Sequence, residues 1–387
     1  MYKIGKLNAI SKVGLAHLTD NYIIVEDANE ANGIILRSYD MHDMEFSQEL
    51  LAIARAGAGV NNIPLDRCAE QGIVVFNTPG ANANAVKELV LAGMFLASRN
   101  ISAGINWAST LTENVSKSVE KGKSNYAGTE ILGKTLGIIG LGAIGVLVAN
   151  SAKLLGMNVI GFDPYISQTA KDNLDPAITI TANIDDIFGA ADFISLHLPA
   201  LESTNKMINQ TAIDKMKDGV ILLNFSRDKL VDDEAILAAL DSGKVRAYVT
   251  DFPNDTVLNK NGVIAIPHLG ASTEEAEDNC ATMAVKQVMD YLENGNIVNS
   301  VNFQACALPT SNDATCRVSV ICKDAASDLE DTLSAQIASL GSKVIDVTSS
   351  TKGAFTYLLA NVSGNISQDD IKNIVGENLL NARIIAK

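Results

Sequence analysis

The chain is short of positive charge. Thirty Lys and Arg stand against 45 Asp and Glu, a formal net charge of −15 over 387 residues. Nucleic acid is excluded as a partner, because binding a phosphate backbone needs a basic surface. An anionic small molecule must be met by locally placed arginines or lysines. Cysteine is sparse too: five, at 68, 280, 306, 316 and 322, with no pair at CxxC spacing. An odd, scattered set excludes a disulfide framework and reads as reduced, buried thiols in a cytoplasmic protein. With only four histidines, no His/Cys/carboxylate cluster has ligand spacing, so no metal is expected. No apolar run is long enough to span a membrane. The region 135–162 is broken by glycines and a lysine, and the first residues lack the apolar core of a signal peptide. Aromatics make up 5% of the chain, while Ala, Val, Ile, Leu and Gly dominate, a mixture that suits buried parallel sheets.

Two or three domains are expected at this length. Up to about residue 80, short apolar runs at Tyr22–Val25, Gly33–Leu36, Leu51–Ala56 and Ile73–Phe76 alternate with polar stretches such as Ala69–Gly72, the pattern of a small α/β unit. Asn77-Thr78-Pro79-Gly80 is a loop signal. Val86, Leu89, Val90, Gly93, Met94 and Leu96 form an apolar stripe that predicts a helix over Ala83–Ser98. Glu113–Glu130 is polar and reads as a surface excursion. From 135 onward, strands at Thr135–Ile139, Asn158–Phe162, Phe193–Leu198, Val220–Asn224, Val245–Thr250 and Val263–Ile266 alternate with helical stretches such as Asp233–Leu240. That alternation implies βαβ units and a parallel sheet covered on both faces. Ser272 with Glu275 predicts a capped helix running to about Glu293. Residues 301–313 read as linker. The last unit, 314–387, reads strand, helix, strand, strand, helix, strand, with Ser327/Glu330 capping its first helix, which is the ferredoxin-like βαββαβ order.

The most specific motif is Gly140-Leu141-Gly142-Ala143-Ile144-Gly145, set between an apolar strand and a helix. The glycines make a tight turn, admit a pyrophosphate to the backbone and let helix pack on strand. The helix N-terminus then offers free N–H groups to the phosphates. Asp163 ends the next strand about 20 residues on, where an acid binds both ribose hydroxyls and repels a 2′-phosphate, favouring NAD. In an open α/β sheet the ligand crevice lies at strand C-termini. His197, Arg227, Asp251, Asp255 and His268 all follow strand ends. An Arg, a His and a carboxylate beside a nicotinamide suit hydride transfer at a hydroxy-acid carbon.

With Ala54–Val60, Gly80-Ala81-Asn82, His197-Leu198-Pro199, Asn224–Arg227, Asp251-Phe252-Pro253, Pro267–Thr273 and Ser300–Phe303, the chain resembles the D-isomer-specific 2-hydroxyacid dehydrogenases over nearly its whole length, and among them those acting on 3-phospho-D-glycerate. The resemblance implies a Rossmann-type doubly wound parallel sheet, 83–270, inserted into a smaller flavodoxin-like substrate domain made of 1–82 and 271–300. The tail resembles an ACT regulatory domain. His268 would be the general acid/base and Arg227 the grip on the carboxylate. Asp255 stands where a Glu usually pairs with the His. Asp251 would contact the nicotinamide carboxamide. Further NAD contacts would come from Gly140, Gly142, Ala143, Ile144, Gly145 and Asp163. His197, Leu198, Pro199, Phe225, Ser226, Arg227, His268 and Gly270 would complete them. Arg37, Ser38, Arg55 and Asn82, with Arg227, would bind substrate.

Two departures stand out. Asp228 follows the arginine where glycine is usual. Lys323-Asp324-Ala325-Ala326 replaces the Asn-x-Pro-Gly turn that helps bind serine, so serine inhibition is not expected. The expected reaction is NAD-dependent oxidation of 3-phospho-D-glycerate to 3-phosphohydroxypyruvate, the entry to L-serine synthesis, by a homodimer or a tetramer joined through the tail. Two alternatives stay open: another D-2-hydroxy acid such as lactate or glycerate, or an NAD-sensing binding protein on the same fold.

Overall fold

The computed structural model describes residues 1–386, so Lys387, the last residue of the expected tail, lies outside it. Contacts divide the chain into one unit of residues 1–81 with 277–387 and another of residues 82–276.

The first unit holds β1 (Tyr2–Leu7), β2 (Tyr22–Val25), β3 (Gly33–Leu36), β4 (Ala52–Arg55) and β5 (Val74–Phe76). They form a parallel sheet in the order β2-β1-β3-β4-β5, the flavodoxin-like order. Alternation along the strands sorts the core. Ile34, Leu36, Ile53 and Val75 face Met41, Leu50, Ile63 and Cys68. Ile4, Ile35, Ala54 and Val74 face Ala281, Ala284, Val285 and Val288 of the helix Glu274–Asn294. β1, next to the centre of the sheet, carries Lys3 and Lys6 among its apolar residues, which hid it from an apolar-run reading.

The second unit holds β6 (Thr135–Ile139), β7 (Asn158–Phe162), β8 (Thr179–Thr181), β9 (Phe193–Leu196), β10 (Val220–Asn224), β11 (Val245–Thr250) and β12 (Val263–Ala265). Their order is β12-β11-β10-β9-β6-β7-β8, a doubly wound sheet whose order reverses between β6 and β9. The helices Ala83–Ser98 and Ala143–Leu154 cover one face through Val86, Val90, Met94, Val148 and Ala152. Ile187, Ile213 and Ile236 of three further helices cover the other.

The tail holds β13 (Cys316–Lys323), β14 (Lys343–Lys352), β15 (Phe355–Ser363) and β16 (Leu379–Ala386), antiparallel in the order β14-β15-β13-β16. The helices Leu329–Ser339 and Gln368–Val375 complete the βαββαβ arrangement. The tail shares a core with the first sheet's helix: Tyr357 and Leu359 pack with Tyr291, Leu292 and Phe76. Arg383 donates to the carbonyls of Tyr291 (3.2 Å) and Leu292 (2.5 Å) and lies over the Tyr291 ring. A cation on the last carbonyls of a helix also complements its dipole.

Several readings of the sequence need correction. The expected linker 301–313 is no free tether. Asn302 accepts from Val75 N–H and donates to the Ile73 carbonyl, both at 2.8 Å, Phe303 and Cys306 are buried, and Arg317 and Asn361 hold the carbonyls of Leu308 and Pro309. The expected surface excursion 113–130 has no buried residue, and it also contains a helix, Val115–Gly122, while Trp107 of the helix Ile101–Ala108 stacks on Tyr126. Thr273, not Ser272, caps the long helix, accepting from Ala276 N–H at 3.1 Å. No side chain caps Leu329–Ser339, so Ser327 is not its cap. The strand before His197 stops at Leu196.

Candidate active site

Gly140 follows β6 at φ +97°, a conformation that side-chain-bearing residues rarely adopt. A Cβ there would lie 2.3 Å from the His197 carbonyl oxygen, and one on Gly145 would lie 2.0 Å from that of Gly140. These two glycines let the turn close against the neighbouring strand end. At Gly142 nothing lies within 4 Å of a Cβ. That open space faces the start of the helix Ala143–Leu154, whose cap is Gly142 itself. It is room for a phosphate to approach free N–H groups. Asp163 is locked at the end of β7, accepting from the N–H groups of Leu141 (2.9 Å) and Tyr165 (2.8 Å). Its fixed negative charge beside the glycine turn disfavours a 2′-phosphate.

His197 closes the turn from the β9 side. Its Nε2 lies 2.9 Å from Ser195 Oγ, its Nδ1 is buried without a partner, and burial pushes its pKa down to about 4. It is a neutral wall group at physiological pH. Leu198 lies alongside, its Cδ2 close to Gly140, and Pro199 is exposed.

β10 delivers the arginine. Asn224, fully buried at the strand end, donates to the Arg227 carbonyl (2.8 Å) and accepts from Ser226 N–H (3.2 Å). Ser226 Oγ donates to the Leu196 carbonyl at 2.7 Å, and buried Phe225 packs on Gly93. The loop is pinned, and the exposed Arg227 guanidinium sits 5.3 Å over the Phe252 ring. The exposed His268 ring packs on the same Phe252, with centroids 4.3 Å apart. Phe252 thus holds together an arginine and a histidine delivered by different strands, a role the sequence did not reveal. Asp251 beside it is 1% exposed. One oxygen accepts from Gly270 N–H at 3.3 Å and the other is buried without a partner. Burial pushes its pKa up to about 6, against the opposing pull of that N–H and the Arg227 charge. The unpartnered oxygen is an acceptor suited to an amide N–H₂. Asp255 is exposed, on a loop fastened through its neighbour Asn254, which donates to Asp233.

The first unit carries a second cluster. Arg37, Ser38 and Tyr39 point their N–H groups at Asn8 Oδ1 (3.2, 3.1 and 2.8 Å), and Asn62 donates to the carbonyls of Arg37 and Tyr39. Arg55 Nε donates to the Arg37 carbonyl at 3.0 Å, so both arginines share one platform. Asn8 and Asn62 were not singled out in the sequence; an isolated Asn looks the same whether or not it pins a loop. Asn82 opens the other unit, ahead of the helix Ala83–Ser98, with no side-chain capping bond. Among the described residues no cluster could hold a metal, and no helix is long and apolar enough to cross a membrane. The five cysteines are free and buried, and burial raises their thiol pKa values.

A doubly wound sheet with a glycine turn at its switch point, an acid fixed beside it, and an Arg and a His at the ends of the strands on either side of β11 defines a nicotinamide-dinucleotide dehydrogenase fold. Residues 91–270 match the family model "D-isomer specific 2-hydroxyacid dehydrogenase, NAD binding domain". A hydroxypyruvate reductase of Thermotoga maritima is 39% identical over 261 residues, 64% of this chain and 80% of that protein. A D-3-phosphoglycerate dehydrogenase of Methanocaldococcus jannaschii is 34% identical over 308 residues, 76% of this chain and 56% of that protein. The chain spans about half the length of the curated phosphoglycerate dehydrogenases it matches. Among solved structures, NAD⁺-bound 3-phosphoglycerate dehydrogenase of Entamoeba histolytica is similar with TM-score 0.61 and 25% identity, covering 79% of this chain and 99% of that one. The chain belongs to the D-isomer-specific 2-hydroxyacid dehydrogenase family, and its second unit is an NAD-binding domain.

Proposed function

We propose that this chain oxidises 3-phospho-D-glycerate to 3-phosphohydroxypyruvate with NAD, in the cytoplasm, as the first step of L-serine synthesis. The observation that carries the chemistry is the packing of Arg227 and His268 on one ring, Phe252, at the crevice edge of the cofactor sheet. Bound NAD, held at the glycine turn and by Asp163 and Asp251, would supply the acceptor for the hydride on C2 of the hydroxy acid. The chain's own groups do the rest. Arg227 holds the substrate carboxylate, a planar match for a guanidinium. His268 takes the hydroxyl proton as the carbonyl forms. Of the two strand-end histidines it suits that role, because burial of the His197 ring lowers its pKa to about 4 and makes it a poor proton acceptor. Asp255 is proposed as the carboxylate that pairs with His268. For the cofactor, Gly142 leaves room at the helix start, Asp163 takes the ribose and Asp251 offers its unpartnered oxygen to the carboxamide. Arg37 with Ser38 and Arg55 is proposed for the substrate phosphate.

A second reading, D-glycerate as substrate, is favoured by the Thermotoga maritima relative named hydroxypyruvate reductase. An absorbance assay for NADH over a panel of 2-hydroxy acids separates the two. Turnover of 3-phospho-D-glycerate well above D-glycerate and D-lactate supports the first reading, and the reverse order sinks it. NAD binding with no turnover of any acid, and no effect of His268→Ala, would point instead to an NAD-sensing protein. Serine should leave the rate unchanged. A homodimer formed through the helix Ala83–Ser98, or a tetramer formed further through the tail, is the proposed assembly. Light scattering of the purified chain tests it.

A further inference from the structure

Arg37 does not stand open to a ligand. Its Nη2 lies 2.9 Å from Oε1 of Glu277, in the first turn of the helix Glu274–Asn294. The two side chains are 36% and 41% exposed. Their pairing therefore belongs to the weak, displaceable class of ion pairs. The arginine's backbone, by contrast, is fixed by Asn8 and Asn62. The guanidinium can change partner while its anchor stays in place. Arg55 joins them through its hydrogen bond to the Arg37 carbonyl, and Cys280, one helical turn beyond Glu277, feels the charges of all three. Glu277 thus presents a carboxylate where the substrate's anionic tail would bind.

We propose that Glu277 is a specificity-determining residue that competes with the substrate's phosphate for Arg37. The proposal rests on the phosphate reading of Arg37. A phosphate dianion must displace or share the pair, and it is also repelled by the glutamate charge. A hydroxy acid with an uncharged tail meets neither obstacle, and it has no use for a freed Arg37. Glu277 therefore narrows the preference for phosphorylated over plain hydroxy acids and holds the arginine in place when no phosphate is bound.

The test is Glu277→Gln, which keeps the side chain's shape and removes its charge. The ratio of kcat/KM for 3-phospho-D-glycerate to that for D-glycerate should rise about fivefold at low ionic strength, through KM, and the gain should shrink as salt is added. Inorganic phosphate, as a dead-end competitor of whichever acid is turned over, should inhibit Glu277→Gln at several-fold lower concentration than wild type, and Arg37→Ala at higher. An unchanged or weaker phosphate inhibition in Glu277→Gln overturns the inference. A wild type that turns over D-glycerate but not 3-phospho-D-glycerate overturns the substrate reading alone, because the phosphate-inhibition measurement does not depend on it.

Discussion

Asp251 shows how one buried carboxyl can set a pH dependence. Its pKa in the folded chain is about 6 against an ordinary 3.8, with burial as the leading cause. Folding therefore disfavours its charged form. The penalty is fully present above about pH 6 and gone below about pH 4, so this group makes the native state relatively more stable as pH falls through that window. Asp251→Asn keeps an acceptor for Gly270 N–H and removes the charge. It should stabilise the fold by about 1–3 kcal/mol at pH 7.5 and by little at pH 4. Urea unfolding at both pH values checks this, and an equal effect at both would contradict it. The same scale marks the limit of the sequence. His197 and His268 look alike as strand-end histidines, and only tertiary burial makes one a neutral wall and leaves the other exposed.

At the scale of elements, the glycine turn separates binding from folding. Gly142→Ala meets no atom within 4 Å, so stability should hold within about 0.5 kcal/mol. NAD affinity should nevertheless fall at least about tenfold, because the new methyl fills the approach to the helix start. Gly145→Ala drives a Cβ to 2.0 Å from a backbone oxygen, and a loss of about 3 kcal/mol or more is expected. Thermal melts paired with NADH fluorescence titrations distinguish the two. Most elements of the second unit were legible because buried parallel strands are nearly continuous apolar runs, as in β6, β9 and β10. What escaped was set by contacts rather than by pattern. β8 is three residues long with two threonines, and Val115–Gly122 is a polar helix with no buried residue. Thr273 and Ser272 are interchangeable as caps until the first residue of the helix is known.

For the whole molecule, the tail is the part whose role the sequence left least defined. Its topology could be read from alternating elements, yet its attachment could not, because that depends on a few long-range contacts. Arg383→Ala removes two charge-assisted hydrogen bonds and a cation–π contact from the end of the long helix. It should cost about 2–4 kcal/mol in urea denaturation of the full chain. A change under about 0.5 kcal/mol would mean that the shared apolar core alone holds the tail.

The placement of the first unit's residues on both sides of the second also has a consequence during synthesis. The opening sheet cannot bury the face carrying Ile4, Ile35, Ala54 and Val74 until Ala281–Val288 have been made. At about 5–20 residues per second, roughly two hundred intervening residues take of the order of 10–40 s. For that time a nascent chain carries an uncovered apolar sheet face while the strands of the cofactor unit are still being added one after another. This interval is when the polypeptide is most exposed to aggregation and has most use for a chaperone at the ribosome.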